Sequence, residues 1–185
     1  MNISQSFLKE CLTYNPLTGD FTWNVRPRNH FISNRGCNAS NARCAGKKAG
    51  CVLTNHNGKY SYVQIGISIN GKTKLYKAHR LAWLYVYGEF PINGIDHIDG
   101  NSLNNSISNL RDVPQAVNCK NKRLSNRNTS GYPGVSWNSR DKAYAAYFKA
   151  GNKQHSLGYF RTAEEAAAIA AKARLENGYI DRPSN

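Results

Sequence analysis

Residues 60–77 constrain the fold most. Tyr60, Tyr62 and Gln64 alternate with Val63, Ile65, Ile67 and Ile69, the run reaches Asn70-Gly71, and Lys72-Thr73-Lys74-Leu75-Tyr76-Lys77 returns. A period of two sends successive side chains to opposite faces of a strand. Asn-Gly accepts the positive φ angles of a tight two-residue turn. The segment therefore predicts an antiparallel hairpin with one apolar face, and with Lys72 and Lys74 sharing the other. Cations on a twisted hairpin suit a nucleic-acid groove and equally suit bulk water. Residues 78–88 then predict a helix stopped by Gly88, with Pro91 just beyond. Leu81, Trp83, Leu84, Tyr85 and Val86 make it apolar on more than one side, so it should be buried.

The flanking text is weaker. Ile3, Phe7, Leu8 and Leu12 stand at helical spacing and predict a short helix over residues 3–14. Asn15-Pro16-Leu17-Thr18-Gly19-Asp20 is a cluster of turn formers, and Phe21-Thr22-Trp23 reads as a short strand. Residues 26–48, rich in Asn, Arg, Ser and Gly, show no period and read as a long basic loop.

Charge sets the class of partner. The chain has 185 residues, enough for one medium domain or two small ones, and carries 25 Lys+Arg against 11 Asp+Glu, a net charge of +14. No acidic residue lies between Asp20 and Glu89, while eleven cations do. Each cation near a phosphate releases a condensed counterion, so this surplus points to a polyanion. No run of about 18 apolar residues is long enough to span a bilayer. The opening MNISQSFLKE lacks the basic-then-apolar pattern of a secretory leader. These features predict a cytoplasmic protein.

Cys37, Cys44 and Cys51 recur seven residues apart, with His30 and His56 nearby. Zinc knuckles use pairs two to four residues apart, so that one turn aims both thiolates at one ion. The wider gaps argue against structural zinc and for free thiols in a reducing compartment.

Residues 96–118 concentrate chemistry. Asp96-His97-Ile98-Asp99-Gly100-Asn101-Ser102-Leu103-Asn104-Asn105 is followed by Ser108-Asn109-Leu110-Arg111 and by Asn118. Carboxylate and amide oxygens suit magnesium or manganese. An imidazole beside them titrates in the right range to take a proton from water. The bland alternative is an Asx-rich loop with no chemistry. Asp99, Asn104 and Asn105 fit loop bracing, and Arg111 suits either a phosphate or Asp112. His79 and Arg80, at the start of the apolar helix, suit an approach to phosphate, and His79 suits a packed position better.

The stretches HRLAWLYVYGEFP and DHIDGNSLNNSISNLR, with Asn118, resemble the HNH endonucleases of phages and mobile introns over roughly residues 75–120. The resemblance implies a hairpin followed by a helix folded around one divalent cation, Mg2+ or Mn2+. It implies that His97 activates water, that Asp96 and Asn118 are the metal ligands, and that Asn109 belongs to the catalytic set by bracing the histidine's loop. Many relatives carry histidine where Asn118 stands. An amide oxygen keeps the site suited to a hard ion.

Residues 131–178 hold a second pattern: a turn into a strand at Gly131–Trp137, strands near 143–149 and 154–159, and a helix over TAEEAAAIAAKARLENG with Thr162 and Glu165 placed for a capping box. YPGVSW, AYAAYFK and LGYFRTAEEAA resemble the three-stranded DNA-binding domain named for plant ethylene-response and Apetala-type factors. Alternation turns Val135, Trp137, Tyr144, Ala146, Phe148 and Leu157 towards the helix. The resemblance turns Ser136, Asn138, Tyr147, Lys149, Gln154 and Ser156 towards the major groove, with Arg140 and Lys142 near the first turn. Small and amide residues stand where plant members carry arginine and tryptophan, so no base preference carries over.

The chain is thus read as α+β: a ββα-metal nuclease domain with a basic N-terminal β-rich DNA-binding extension (residues 1–120), a linker (121–130), and a DNA-binding domain made of a three-stranded antiparallel sheet packed on one helix (131–180). Linker-region cations Lys120, Lys122 and Arg123 fit a phosphate backbone or a plain tether. The expected activity is metal-dependent cleavage of duplex DNA at a specific site by a monomer, with no small-molecule cofactor and no membrane, in the manner of a homing nuclease. The rival is a non-enzymatic DNA-binding regulator on a decayed nuclease fold.

Overall fold

The structure is a computed structural model that describes residues 3–55, 58, 60–69, 71–115, 124, 128–151 and 153–179. The chain divides into two compact units, Met1–Val113 and Pro114–Asn185.

In the first unit, α1 (Gln5–Cys11) starts where the Ser4 hydroxyl accepts from Phe7 N. It ends earlier than the apolar spacing suggests. Leu12 is extended, and β1 (Leu12–Tyr14) pairs antiparallel with β2 (Phe21–Trp23) across the Asn15–Asp20 turn. Leu12 therefore serves the core from a strand.

Residues 26–48 are not a loop. They contain a 3-10 turn at Arg28–His30 and the eleven-residue helix α2 (Asn34–Cys44). Ser33 caps α2 by accepting from Gly36 N at 3.1 Å. Asn41 clamps the helix to the backbone of Arg26, accepting from its N at 3.0 Å and donating to its O at 2.9 Å. Cys37 is its one buried side chain. A helix held by polar clamps needs no apolar stripe, which is why periodicity missed it.

The sheet is β3 (Cys51–Thr54), β4 (Ser61–Ile69) and β5 (Lys72–Lys77), in that order and antiparallel. Its register corrects the expected faces. Ile65 pairs with Tyr76, Ile67 with Lys74 and Ile69 with Lys72. Directly paired residues share a face, so Lys72 and Lys74 extend the isoleucine face beyond the core's edge. The opposite face carries Tyr62, Gln64, Gly66 and Ser68 with Lys77, Leu75 and Thr73. Leu75 is accordingly 61% exposed.

β5 runs directly into α3 (Ala78–Tyr87), which Gly88 ends in the left-handed conformation at φ 86°. β6 (Gly94–His97) and β7 (Leu110–Val113) form a two-stranded ladder. One core joins these pieces: Leu8, Leu12 and Phe21 from the amino-terminal elements, Ile65, Ile67 and Tyr76 from the sheet, Leu81, Ala82 and Leu84 from α3, and Leu110 from β7. Burying each large side chain contributes about 1.5–3 kcal/mol.

The second unit is the antiparallel sheet β8 (Val135–Asn138), β9 (Ala143–Ala150) and β10 (Lys153–Phe160), with α4 (Ala163–Glu176) packed on it. Thr162 and Glu165 form a reciprocal capping box. Ala166 and Ala170 meet Val135 and Ala146 in a fully buried seam. Small side chains let the helix lie close to the strands. Trp137 shares the helix-side face by register but stays 48% exposed, edge-on to Tyr144 at 4.8 Å. Phe148 stacks on His155 at 4.9 Å. Among the described residues no helix is long and apolar enough to cross a membrane.

Candidate active site

The site is the β6–β7 ladder and the loop between its strands. The register sets Asp96 opposite Arg111 and His97 opposite Leu110. Cross-strand neighbours on one face interact directly. Arg111 donates to Asp96 Oδ2 from Nε at 2.9 Å and from Nη2 at 2.5 Å. Asp96 is buried, with its side chain 6% exposed against 19% for Arg111. Arg111 was expected to meet a phosphate or Asp112. Its strand register gives it Asp96 instead. Asp112 brackets the entry to β6 by accepting from Ile92 N and Asn93 N, both at 2.9 Å.

His97 is buried and takes a different set of partners. Its Nε2 lies 3.3 Å from Asn105 Oδ1. The Asn105 amide nitrogen donates to Leu103 O at 3.3 Å, which fixes which end of the amide faces the ring. The His79 ring meets His97 edge-on, with centroids 5.2 Å apart. Burial pushes the His79 pKa down to about 3, helped by the charges of His97, Lys77 and Arg80. His79 is therefore a neutral wall. Its buried Nδ1 has no hydrogen-bond partner among the described residues.

The loop from 98 to 109 is stitched by its amides. Asn109 Oδ1 accepts from Asp99 N at 2.9 Å, and Asn109 Nδ2 donates to Asp99 Oδ1 at 2.9 Å and Asn104 O at 2.8 Å. Asn104 Nδ2 donates to Asp99 Oδ2 at 2.8 Å. Partial burial alone would raise the Asp99 pKa. The hydrogen bonds from Asn104, Asn101 N and Asn109, with the charge of His97, outweigh it and hold the carboxyl below its ordinary value.

Support also comes from the chain's start. Tyr14 donates its hydroxyl hydrogen to Asn105 O at 2.7 Å, and Ile107 N donates to Pro16 O at 3.1 Å. Gly19, at φ +77°, packs so tightly that a Cβ there would sit 2.3 Å from Asn105 C. The other flank is tied to the sheet, where the Ser102 hydroxyl donates to Ser61 O. The sequence marked the Asn15–Asp20 turn; its docking against a loop far along the chain left no local signal.

Asn109 thus sits in the loop's bracing network, and His97 and Asp96 sit side by side on β6. Asn118, Lys120, Lys122 and Arg123 lie outside the described residues. Lys72 and Lys74 lie at the turn end of β5, away from the strand end that leads into α3. Register places Ser136, Asn138, Tyr147, Lys149, Gln154 and Ser156 on the sheet face of the second unit opposite α4, with Arg140 and Lys142 at the β8–β9 turn.

The donor chemistry fits a hard divalent cation, because the ladder offers a carboxylate and the loop offers amide oxygens. Among the described residues no group of three or more His, Cys, Asp or Glu could hold a metal. Cys11, Cys37, Cys44 and Cys51 are free thiols.

Residues 76–120 match the protein family described as HNH endonuclease. Protein 3.8 of Escherichia phage T7 is 35% identical over 113 residues, which take in 59% of this chain and 93% of that protein. The chain belongs to the HNH endonuclease family. This HNH endonuclease is also 37% identical over 78 residues to DNA endonuclease I-HmuI of Bacillus phage SP01, covering 40% of this chain and 44% of the relative. A solved structure of DNA binding and cleavage by the HNH homing endonuclease I-HmuI matches at a TM-score of 0.38 and 27% identity, over 58% of this chain and 49% of that one.

Proposed function

We propose that this HNH-type DNA endonuclease hydrolyses phosphodiester bonds at a specific duplex site, depends on a divalent cation, and serves a phage or mobile element as a homing-type nuclease. The observation that carries the reading is His97, buried beside Asp96 and held by a directional amide.

The chemistry follows from the tautomer. Asn105 Oδ1 can only accept, so His97 Nε2 carries the hydrogen and Nδ1 keeps its lone pair. Nδ1 is then the atom that takes a proton from the attacking water. His79, neutral and edge-on, limits the ring's rotation without adding charge. Arg111 holds the Asp96 carboxylate in place and adds positive charge near a bound phosphate. A magnesium or manganese ion, held by Asp96 with Asn118, would supply Lewis-acid charge at the scissile phosphate. The amide net around Asp99 and Asn109 keeps the loop rigid while DNA binds.

In this reading the second unit is a DNA-reading domain of the Apetala-type kind. Ser136, Asn138, Tyr147, Lys149, Gln154 and Ser156 would face the groove, and Arg140 and Lys142 the backbone. Lys120, Lys122 and Arg123 would track phosphates, as would Lys72 and Lys74 at the hairpin tip. Two modest surfaces on one monomer raise effective affinity, as a rare target requires.

The test is plasmid nicking with magnesium, with manganese and with chelator, comparing the natural protein with His97→Ala. Cleavage should need the metal and vanish in the variant while DNA binding persists. Cleavage at the normal rate by His97→Ala would remove the histidine from this role.

A further inference from the structure

The cations of the acid-free stretch fall into two groups. Most are already engaged. Arg26 donates to Ser68 O at 2.7 Å and lies over Phe31. Arg28 donates to Asn34 Oδ1, Phe31 O and Ile32 O, tying the 3-10 turn to α2. Lys48 pairs with Asp20 at 2.7 Å. Lys74 lies over Tyr76 and Lys77 over Tyr62. Arg80 reaches Asn93 O and Pro91 O. Among the described residues Arg35, Arg43, Lys47 and Lys72 remain; Lys59 lies outside them. All four are exposed, and none has a side-chain hydrogen bond or ion pair among the described residues.

These four are not scattered. On α2 the inward side is Cys37, Asn41 and Cys44, and at 100° per residue the opposite side is Arg35, Asn38, Ala39, Ala42 and Arg43. All five are exposed. The outer face is an arginine near each end with short side chains between, and no acidic residue anywhere on the helix. Lys47 follows directly after α2. Lys72 joins from the hairpin tip, because Gly71 lies against Ile32, just before the helix; a Cβ at Gly71 would meet Ile32 Cδ1 at 2.7 Å.

The geometry points to a second DNA-contacting surface, in which the outer face of α2, through Arg35 and Arg43 with Lys47 and Lys72, binds backbone phosphates of the duplex well away from the cut. The inference rests on duplex DNA being the substrate. Exposed, unengaged guanidinium groups are preorganised for phosphate, and the short side chains between them let the helix approach the backbone. The spacing follows from β4. Its Ser61 end touches the catalytic loop through Ser102, and its other end reaches the tip beside α2. At ~3.3 Å per residue the eight steps of the nine-residue strand span roughly 26 Å. Duplex DNA rises ~3.4 Å per base pair, so the contact falls roughly eight base pairs from the scissile bond.

The test uses full-length His97→Ala protein, so that binding is read without cleavage, on a duplex of arbitrary sequence. The added substitutions Arg35→Gln and Arg43→Gln remove two phosphate contacts. The slope of log affinity against log salt should fall by about 2 relative to the parent, with affinity down roughly tenfold or more at low salt. A charge-matched control, Lys9→Gln with Lys172→Gln, should leave the slope near the parent's. Matching melting curves by circular dichroism establish that each variant is folded. On a duplex carrying the mapped cut, protection should be lost roughly eight base pairs to one side only. An unchanged slope, or an equal fall in the control, overturns the inference while leaving the catalytic reading intact. If the parent itself binds no duplex DNA, the substrate reading and this inference fall together.

Discussion

Asn105 Oδ1 accepts from His97 Nε2 at 3.3 Å, and the same amide is pinned from behind by its own bond to Leu103 O. One side chain therefore sets both the tautomer and the direction of the imidazole. Asn105→Ala should lower the cleavage rate roughly 10–100-fold with little change in DNA affinity, since partners of this kind typically carry that weight. Single-turnover rates and equilibrium binding, measured side by side, check it. A large loss of binding at an unchanged rate would contradict the orienting role.

The ion pair between Arg111 and Asp96 is close to fully covered, and removing one partner strands the other charge. Arg111→Ala should destabilise the first unit by about 3 kcal/mol. Chemical denaturation in the presence of chelator measures this without interference from bound cation. A loss below about 0.5 kcal/mol would class the pair with exposed ones.

Gly19 occupies positive φ with no space for a side chain beside Asn105. Gly19→Ala should cost about 2 kcal/mol in backbone strain and displaced contacts, and lower the melting temperature by roughly 10 °C. Cleavage should fall with it, because the backbone that must shift is the one carrying the His97 partner.

Acid should weaken the first unit through two groups acting in the same sense. The His79 pKa is lowered to about 3 in the fold, so below the ordinary histidine value of 6.5 the unfolded chain gains a proton that the fold refuses. The stability lost grows as pH falls from 6.5 towards 3. The Asp99 pKa is held below its ordinary 3.8, so its contribution is present above that value and disappears as pH drops through the depressed one. Melting temperature against pH should therefore decline in two stages. His79→Phe should flatten the first and Asp99→Ala the second.

Lys149 lies exposed on β9, on the face away from α4. Lys149→Ala should weaken duplex binding and lower the salt slope by about 1, if that face meets phosphate. An unchanged slope would detach this face from DNA.

The legibility of the sequence varied with the kind of force involved. Alternation and Asn-Gly marked the β4–β5 hairpin, and apolar spacing with Gly88 marked α3, because apolar burial leaves a period behind. The amide-rich text from Asp96 to Asn109 marked the loop that the folded chain stitches together with side-chain amides. The α2 helix stayed hidden, since Asn41 and Ser33 hold it by directional bonds that have no repeat. The lysine faces of β5 differ from the expected ones because cross-strand pairing fixes them, and a single strand's text does not contain its partner's phase. Tyr14, Gly19 and Asn105 meet across most of the first unit, and only the folded chain shows them as one assembly.

The docking of the Asn15–Asp20 turn against the loop between β6 and β7 bears on how such a gene can be shuffled. A recombination event that carries off the segment around the histidine motif without the opening hairpin would deliver the right reagents in the wrong shape. Inheritance of activity should therefore travel with the whole first unit, and inert hybrids should cluster at junctions drawn between the turn and the loop it buttresses.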